Sequence, residues 1–220
     1  MPQDVKPGRP YRSPRRDQQA AATRRVIIDA ARRLFEAQGY AATTMGVVAT
    51  EAGVALKTVY LAFETKARLL RAVWDLALKG DDADAPVAER PWYLAVLEEP
   101  DPRRKLRLLA QASCAVKLRI ASLLGVIRDA APSEEEIGAL WALIQTDFHA
   151  NQGAIVATLE RTGSLAPEID AARATDILWT LNHPDIWLLL VGQRGWTPEQ
   201  FEAWLGDTAI AQLLAPAPPS

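Results

Sequence analysis

Side chains able to donate hydrogen bonds crowd into residues 43–66, among them Thr43, Thr44, Lys57, Thr58, Tyr60 and Lys66. Hydroxyl and ammonium groups of this kind suit contacts to a polyanion. A lysine can donate to guanine, and a threonine or leucine methyl can touch that of thymine. Hydroxyls and lysines also hold backbone phosphates, which position a protein without specifying a sequence. The rest of the chain offers little for bond-making chemistry. His149, His183 and Cys114 lie far apart, with no metal-ligand spacing. There is no glycine-rich phosphate loop after a strand, no Ser-His-Asp order with a recognisable elbow, and no paired-carboxylate site. No catalytic residue, no metal and no cofactor is therefore expected. The enzyme alternative would need a His or Cys nucleophile.

Those donors must be held by short helices. Thr43 or Thr44 can cap the first, since a hydroxyl there accepts an otherwise unpaired backbone N–H. Met45, Val48, Ala49 and Ala52 then recur at helical spacing. Gly53 can end that helix in the left-handed conformation. A second helix is expected over residues 56–63, burying Val59 and Phe63. Two short helices joined by a glycine turn form the helix-turn-helix pattern, whose second helix can enter a major groove. An ordinary helical hairpin has the same outline, so the flanking sequence matters. Upstream, residues 23–38 place Ile27, Ala31, Leu34 and Phe35 on one stripe, with Gly39 as a stop. Downstream, Thr65 is a cap for a helix over residues 66–79. Lys66 in its first turn opposes the helix dipole, which suits an end that faces a phosphate.

Charge separates along the chain. Residues 1–73 hold 13 Lys/Arg and 6 Asp/Glu, and the rest holds 12 and 21, so a net −2 conceals +7 against −9. A basic head on an acidic body is a nucleic-acid footprint. Residues 1–20 are rich in Pro, Arg, Gln and Gly and are expected to be disordered alone. Arg9, Arg12, Arg15 and Arg16 would serve there as a DNA-binding arm, or the segment is a solubilising tail. One cysteine excludes an internal disulfide and fits a reducing cytoplasm. The basic N-terminus is followed by no apolar stretch, so no signal peptide is expected. The longest apolar run, residues 186–191, is too short to span a bilayer.

The remainder reads as helices. Residues 80–101 form a linker with an apolar island at 92–97. Asp101-Pro102 opens a helix to about Lys117, followed by another over 119–130. Ser133 with Glu136 is a capping box opening a long helix to about Arg161. Further helices are expected over 167–181, with His183 capping the end, and over 185–191. Thr197-Pro198 caps a last helix to about Leu214, followed by a Pro/Ala tail at 215–220. The fold class is all-α: a basic arm over 1–20, a helix-turn-helix domain over 21–66, and a helical effector and dimerisation domain over 67–214.

Residues 23–73 closely resemble the DNA-binding domain of the TetR family of transcriptional regulators. The matching marks are Ala30, Ala31, Leu34, Phe35, Gly39-Tyr40, Thr43-Thr44, Val48-Ala49, Ala52-Gly53-Val54, Thr58-Val59-Tyr60, Phe63, Lys66 and Leu69-Leu70. Residues 177–208 are similar to the C-terminal region of one subgroup, in which the last two long helices pair as a four-helix bundle across a twofold axis. The resemblance implies a cytoplasmic homodimer, with no membrane association, acting on a near-palindromic double-stranded operator, and most simply a repressor. Lys57, Thr58, Leu56 and Ala55 would read bases, and Thr43, Thr44, Tyr60 and Lys66 would hold phosphates. Dimer contacts would fall on Ile177, Leu181, Phe201, Trp204, Leu205 and Thr208. It also implies a small-molecule effector, with candidate liners Trp92, Cys114, Leu118, Trp141, Ile144, Phe148, His149 and Trp179, most of which would serve equally as core. His149 reads as a rim residue, polar with Gln145 and Gln152. Cys114 reads better as a small buried apolar residue than as a redox sensor. Three departures stand out: Ala55 where a serine cap is usual, Gly46 inside a helix, and Leu61-Ala62 in place of a more polar or aromatic pair. Nonspecific DNA coating by the same basic end is the remaining alternative.

Overall fold

A computed structural model describes residues 14–80 and 86–215. The chain forms α1 (Pro14–Ala42), α2 (Met45–Glu51), α3 (Leu56–Phe63) and α4 (Lys66–Lys79). After the short 3₁₀ turn Val87–Glu89 come α5 (Pro91–Glu98), α6 (Pro102–Ala130), α7 (Glu135–Arg161), α8 (Ala171–Leu181), α9 (Pro184–Trp187) and α10 (Pro198–Leu213). No strand occurs among the described residues; a single antiparallel bridge joins Leu165 to Leu214. The all-α reading holds.

α1 begins at Pro14, well before the expected Thr23, so its first turns occupy part of the segment read as disordered. Of the proposed arm, Arg9 and Arg12 lie outside the described residues. Gly39 kinks the chain as expected, with φ 77° and ψ 176°. The stripe Ile27, Ala31 and Phe35 is fully buried.

α6 runs unbroken where two helices were expected. The Lys117–Arg119 stretch carries neither glycine nor proline to interrupt it, and its inward face stays buried from Leu106 to Ile127. By length and composition α6 could cross a membrane, yet half of its most apolar stretch is buried inside the fold, as in the core helix of a soluble protein. It packs against α1, α4, α5, α7, α9 and α10.

The capping box at Ser133 does not form. Glu134 is the N-cap of α7, with no side-chain cap bond, and the Ser133 hydroxyl donates instead to the Ala130 carbonyl at 2.8 Å. Both Glu134 and Glu136 are drawn elsewhere, to the head of the molecule. α8 starts later than expected because Asp170, not the region of Pro167, supplies the cap to Arg173 N–H at 2.7 Å. His183 caps α9 rather than closing α8: its Nδ1 accepts from Asp185 N–H at 3.2 Å. The apolar segment after it leaves α-helical geometry, becoming a π-helix over Leu188–Gln193. Thr197 and Gln200 make the expected cap of α10 a full reciprocal box.

One apolar core runs from the head into the body. It joins Phe35, Val48, Val59 and Phe63 to Leu69, Leu70 and Trp74, and these to Leu123, Ile127, Ile137 and Leu140. Two further clusters hold α5–α8–α10 and α6–α9–α10 together.

Candidate nucleic-acid interface and ligand cavity

α2 and α3 meet at an angle of 113°, within the roughly 90–120° of a helix-turn-helix. The turn is built by backbone bonds. Val54 N–H reaches back to Ala49 carbonyl at 3.0 Å, and Gly53 takes φ 66°. That pattern closes a helix through a left-handed residue. The Thr44 hydroxyl caps α2, accepting from Val47 N–H at 3.2 Å, which leaves its own proton free to donate outward. Ala55 starts α3 with no side-chain cap. An uncapped start forgoes about 1 kcal/mol.

α3 is two-faced. Val59 and Phe63 are buried, while Leu56, Lys57, Tyr60 and Leu61 look outward. Tyr60 is 48% exposed and Leu61 76%. Thr58 is half-buried at the edge of this face. Lys57 makes no ion pair among the described residues. Arg24 fixes the far end of α3: its guanidinium sits 4.2 Å from the Phe63 ring and donates to the Ala62 carbonyl at 2.7 Å. Its sequence position, off the apolar stripe of α1, gave no sign of that task.

Two of the expected phosphate contacts fail. Thr43 is fully buried, and its hydroxyl donates to the Gly39 carbonyl at 2.8 Å. Lys66 turns inward: its Nζ donates to the Tyr40 carbonyl at 2.9 Å and lies 3.8 Å from the Tyr40 ring centroid. The lysine thus serves the C-terminal end of α1, where a cation suits the helix dipole.

The head is bolted to the body through polar contacts that periodicity cannot reveal. The Tyr40 hydroxyl donates to Glu134 Oε2 at 2.6 Å, and Thr65 Oγ1 to Glu136 Oε2 at 3.2 Å. Burial and the neighbouring Glu134 raise the Tyr40 phenol far above its usual range. Arg32 donates to the Arg119 carbonyl at 2.7 Å, and Ser122 to Glu36 Oε1 at 2.9 Å.

A cavity of about 620 Å³ lies among α4, α5, α6 and α7, closed at one end by the α8–α9 junction. That volume is in the range of small-molecule pockets. Trp74, Trp92, Leu109, Leu124, Ile144 and Phe148 give it an apolar wall. The Tyr93 hydroxyl donates to the Asn151 carbonyl at 2.7 Å, and burial pushes its pKa up to about 12, so it stays neutral. Of the expected liners, Trp92, Ile144 and Phe148 are there and five are not. Leu118 is 62% exposed on the outer side of α6. Cys114 faces α10, with its thiol 3.4 Å from the Pro198 carbonyl, and burial pushes that thiol's pKa up. Trp141 packs on the head-side core. His149 is exposed and pairs with Asp176 at 2.9 Å. Trp179 is half-buried behind the cavity, stacked edge-on against His183 at 4.9 Å.

Sequence reasoning named Gln145 and Gln152 as polar liners, and both are in the cavity wall, but it missed Ser113, Lys117 and Asn182 at the cavity's polar end. Ser113 and Lys117 of α6, Gln152 of α7 and Asn182 meet there. Lys117 donates to Asn182 Oδ1; Asn182 Nδ2 donates to Ser113 Oγ at 3.0 Å and to Gln152 Oε1 at 3.3 Å. Lys117 is 4% exposed, and burial pulls its pKa down to about 7. The one available signal was a lysine standing four residues after Ser113 on the inward stripe of α6.

Of the residues expected at a dimer contact, Phe201 and Leu205 are buried within this chain's own core and cannot meet a partner. They are consumed by packing α10 onto α6 and α9, Phe201 lying 5.0 Å from Trp187. Ile177, Leu181, Trp204 and Thr208 are half-buried on α8 and α10.

Comparison with known proteins agrees with this architecture. Residues 27–73 match the family model described as bacterial regulatory proteins, tetR family. Over 212 residues the chain is 29% identical to the HTH-type transcriptional regulator TtgR of Pseudomonas putida, covering 92% of this chain and 97% of that protein. It shares its fold with NalD, described as the secondary repressor of the MexAB-OprM multidrug efflux pump in Pseudomonas aeruginosa: TM-score 0.68, 22% identity, 90% of this chain and 98% of that one. A solved complex of SmeT with triclosan is similar to the same degree, with TM-score 0.68 at 18% identity over 90% and 99% of the two chains.

Proposed function

Because the chain belongs to the TetR family of DNA-binding transcriptional regulators, we propose that it is a ligand-responsive repressor acting as a homodimer on a near-palindromic operator. The observation that carries this is the outward face of α3, where Leu56, Lys57, Tyr60 and Leu61 are exposed, in a chain whose body also holds a ligand-sized cavity. One recognition helix covers only a few base pairs. Two copies about a twofold axis would set their recognition helices in successive major grooves, roughly 34–36 Å apart. The half-buried apolar residues of α8 and α10 are the surface we assign to that pairing. The protein would work in the cytoplasm, where the operator is.

α4 supplies the coupling. At its N-terminus Thr65 and Lys66 touch α7 and α1; further along, Trp74 and Leu78 line the cavity. Fourteen residues span about 21 Å. A ligand that fits better when α4 is displaced would carry the head with it and favour a spacing of recognition helices that fits DNA poorly, relieving repression. It can shift the equilibrium only by its differential affinity for the two arrangements. The name of the triclosan-bound relative supports a small-molecule effector here.

Selection from random duplexes, followed by binding of Tyr60→Ala and Lys57→Ala, tests the DNA reading. Tyr60→Ala should weaken binding to all sequences alike, whereas Lys57→Ala should relax preference at one position per half-site, a cost of about 1–3 kcal/mol. If both variants bind the selected site like the parent, α3 is not the reader. If selection yields no preferred site and affinity tracks salt alone, the protein coats DNA nonspecifically.

A further inference from the structure

The polar end of the cavity holds a cation that no acid neutralises. Lys117 makes no ion pair among the described residues; within hydrogen-bonding reach its ammonium has the Asn182 amide oxygen, and the Phe201 ring lies 5.4 Å away. The titratable groups near it are the Cys114 thiol on its own helix and His183 at the α8–α9 junction; α7 presents Gln152 and α10 the Phe201 ring, while Glu199 and Glu202 of α10 act on Cys114. Lys105 shows what a purely structural buried lysine looks like in this same helix. Its Nζ donates to the Leu97 carbonyl and to Thr158 Oγ1, both at 2.7 Å, and it does not line the cavity. Lys117 lines the cavity and keeps donor capacity in hand.

A second donor stands in the same wall. His183 Nδ1 accepts from Asp185 N–H, so its proton sits on Nε2, which donates to Gln145 Oε1 at 3.3 Å. That bond fixes the Gln145 amide, and its Nε2 is left buried with no partner. Donors in surplus, one of them cationic, call for an acceptor, and a buried cation calls for an anion.

We propose that the cavity takes a single-charged aromatic or aliphatic carboxylic acid, its carboxylate received by Lys117 at the Ser113–Asn182 end and its apolar body laid against Trp74, Trp92, Ile144 and Phe148. This rests on the cavity being the effector site, and it names the effector's chemical class. Burial holds the free ammonium near half-protonation at neutral pH, so acid binding would take up a proton and weaken as pH rises.

The test compares 1-naphthylacetate with 1-naphthylacetamide, which differ little in shape but by one charge. Calorimetry gives their affinities for the full chain, and a parallel titration follows release of a selected duplex. The acid should bind at least about tenfold more tightly than the amide near pH 6.5, less so near pH 8.5, and the preference should vanish in Lys117→Met. The amide binding as well as the acid, Lys117→Met keeping the preference, or neither compound binding at millimolar concentration overturns the proposal. The wild-type comparison needs no variant to fold. If the acid binds through Lys117 but the duplex is not released, the acid site stands and the effector reading falls. If the amide binds equally and releases DNA, the reverse holds.

Discussion

Lys117 makes stability depend on pH in a way that can be worked from its burial. Its pKa falls from the ordinary lysine value of 10.5 to about 7. Between those values the unfolded chain holds a proton that the folded chain has lost, so stability rises with pH across that window and the gain is absent below it. Integrating from about pH 7 to about pH 9 gives roughly 2 kcal/mol for this one group. In a chain of 220 residues that is a rise of roughly 4–8 °C in Tm. Part of the background runs the other way: the Cys114 thiol is raised by burial, so its deprotonation in the unfolded chain lowers stability at high pH, whereas Lys105, lowered by burial, acts in the same direction as Lys117. His183 is lowered by burial, so its contribution is lost only in acid, as pH falls through its unfolded value. Urea unfolding followed by tryptophan fluorescence near pH 7 and pH 9, with Cys114→Ala as the parent, isolates the lysine. Adding Lys117→Met should remove roughly 2 kcal/mol of the rise, and near pH 7 the substitution should be neutral or stabilising because it removes a buried charge that has no counter-ion. A Lys117→Met variant with the same pH slope as its parent refutes the reasoning, since the lysine would then be solvated or paired in the fold.

Ala55→Ser should supply the missing N-cap of α3, whose backbone at Ala55 is already extended at φ −68° and ψ 142°. Thermal denaturation should show a gain of about 1 kcal/mol, and no rise in Tm would mean that the helix start is not open to a cap. Tyr40→Phe removes the hydroxyl donated to Glu134. A charge-assisted bond of this kind is worth about 1.5–3 kcal/mol, so urea unfolding should show a loss of that order. The same variant should also reduce the dependence of DNA affinity on effector, and a wild-type response would show that the Tyr40–Glu134 bond does not transmit it.

The head of the molecule was legible because local signals there agree with one another. Thr44 caps, Gly53 turns, and the buried positions Met45, Val48, Ala49, Val59 and Phe63 all fall where a period of 3.6 puts them. The errors in the same region have one cause. Spacing assigns a residue to a face, but not which side chain satisfies which backbone group. Thr43 and Lys66 both look like donors to an outside partner, yet both answer carbonyls at the end of α1, Gly39 and Tyr40. Ser133 failed for the same reason: Glu136, which would have completed the box, is instead held by Thr65 of the head. In the body, apolar periodicity cannot distinguish a wall from a core, and so Cys114 and Trp141 were indistinguishable from Ile144 and Phe148. Phe201 and Leu205 illustrate a related limit, because a wide apolar face on α10 serves this chain's own core before it can serve a partner. The polar end of the cavity was only partly legible: Gln152 could be read as a polar liner, but Ser113, Lys117 and Asn182 acquire meaning only when the fold brings α6 and the end of α8 to it.

The same geometry explains why the head cannot be treated as an independent unit. Its apolar core has no boundary at Lys66: Leu69, Leu70 and Trp74 of α4 pack with Phe35 and Val59 on one side and with Leu123, Ile127 and Leu140 of the body on the other. Trp74 and Leu140 belong at once to that core and to the cavity wall. A close-packed core transmits displacement rather than absorbing it. α7 makes the second connection. Glu134 and Glu136 at its start hold Tyr40 and Thr65, while Ile144, Phe148 and Gln152 on its later turns line the cavity. On the proposed function, a molecule seated between α4 and α7 would push on two levers whose far ends grip the α2–α3 unit at adjacent points, Tyr40 just before α2 and Thr65 just after α3. Displacing one lever relative to the other must either tilt α2 and α3 together or break the bonds at Glu134 and Glu136. The continuous apolar core favours the tilt, because breaking those contacts would leave the buried Tyr40 hydroxyl without its acceptor while the buried side chains still resisted separation.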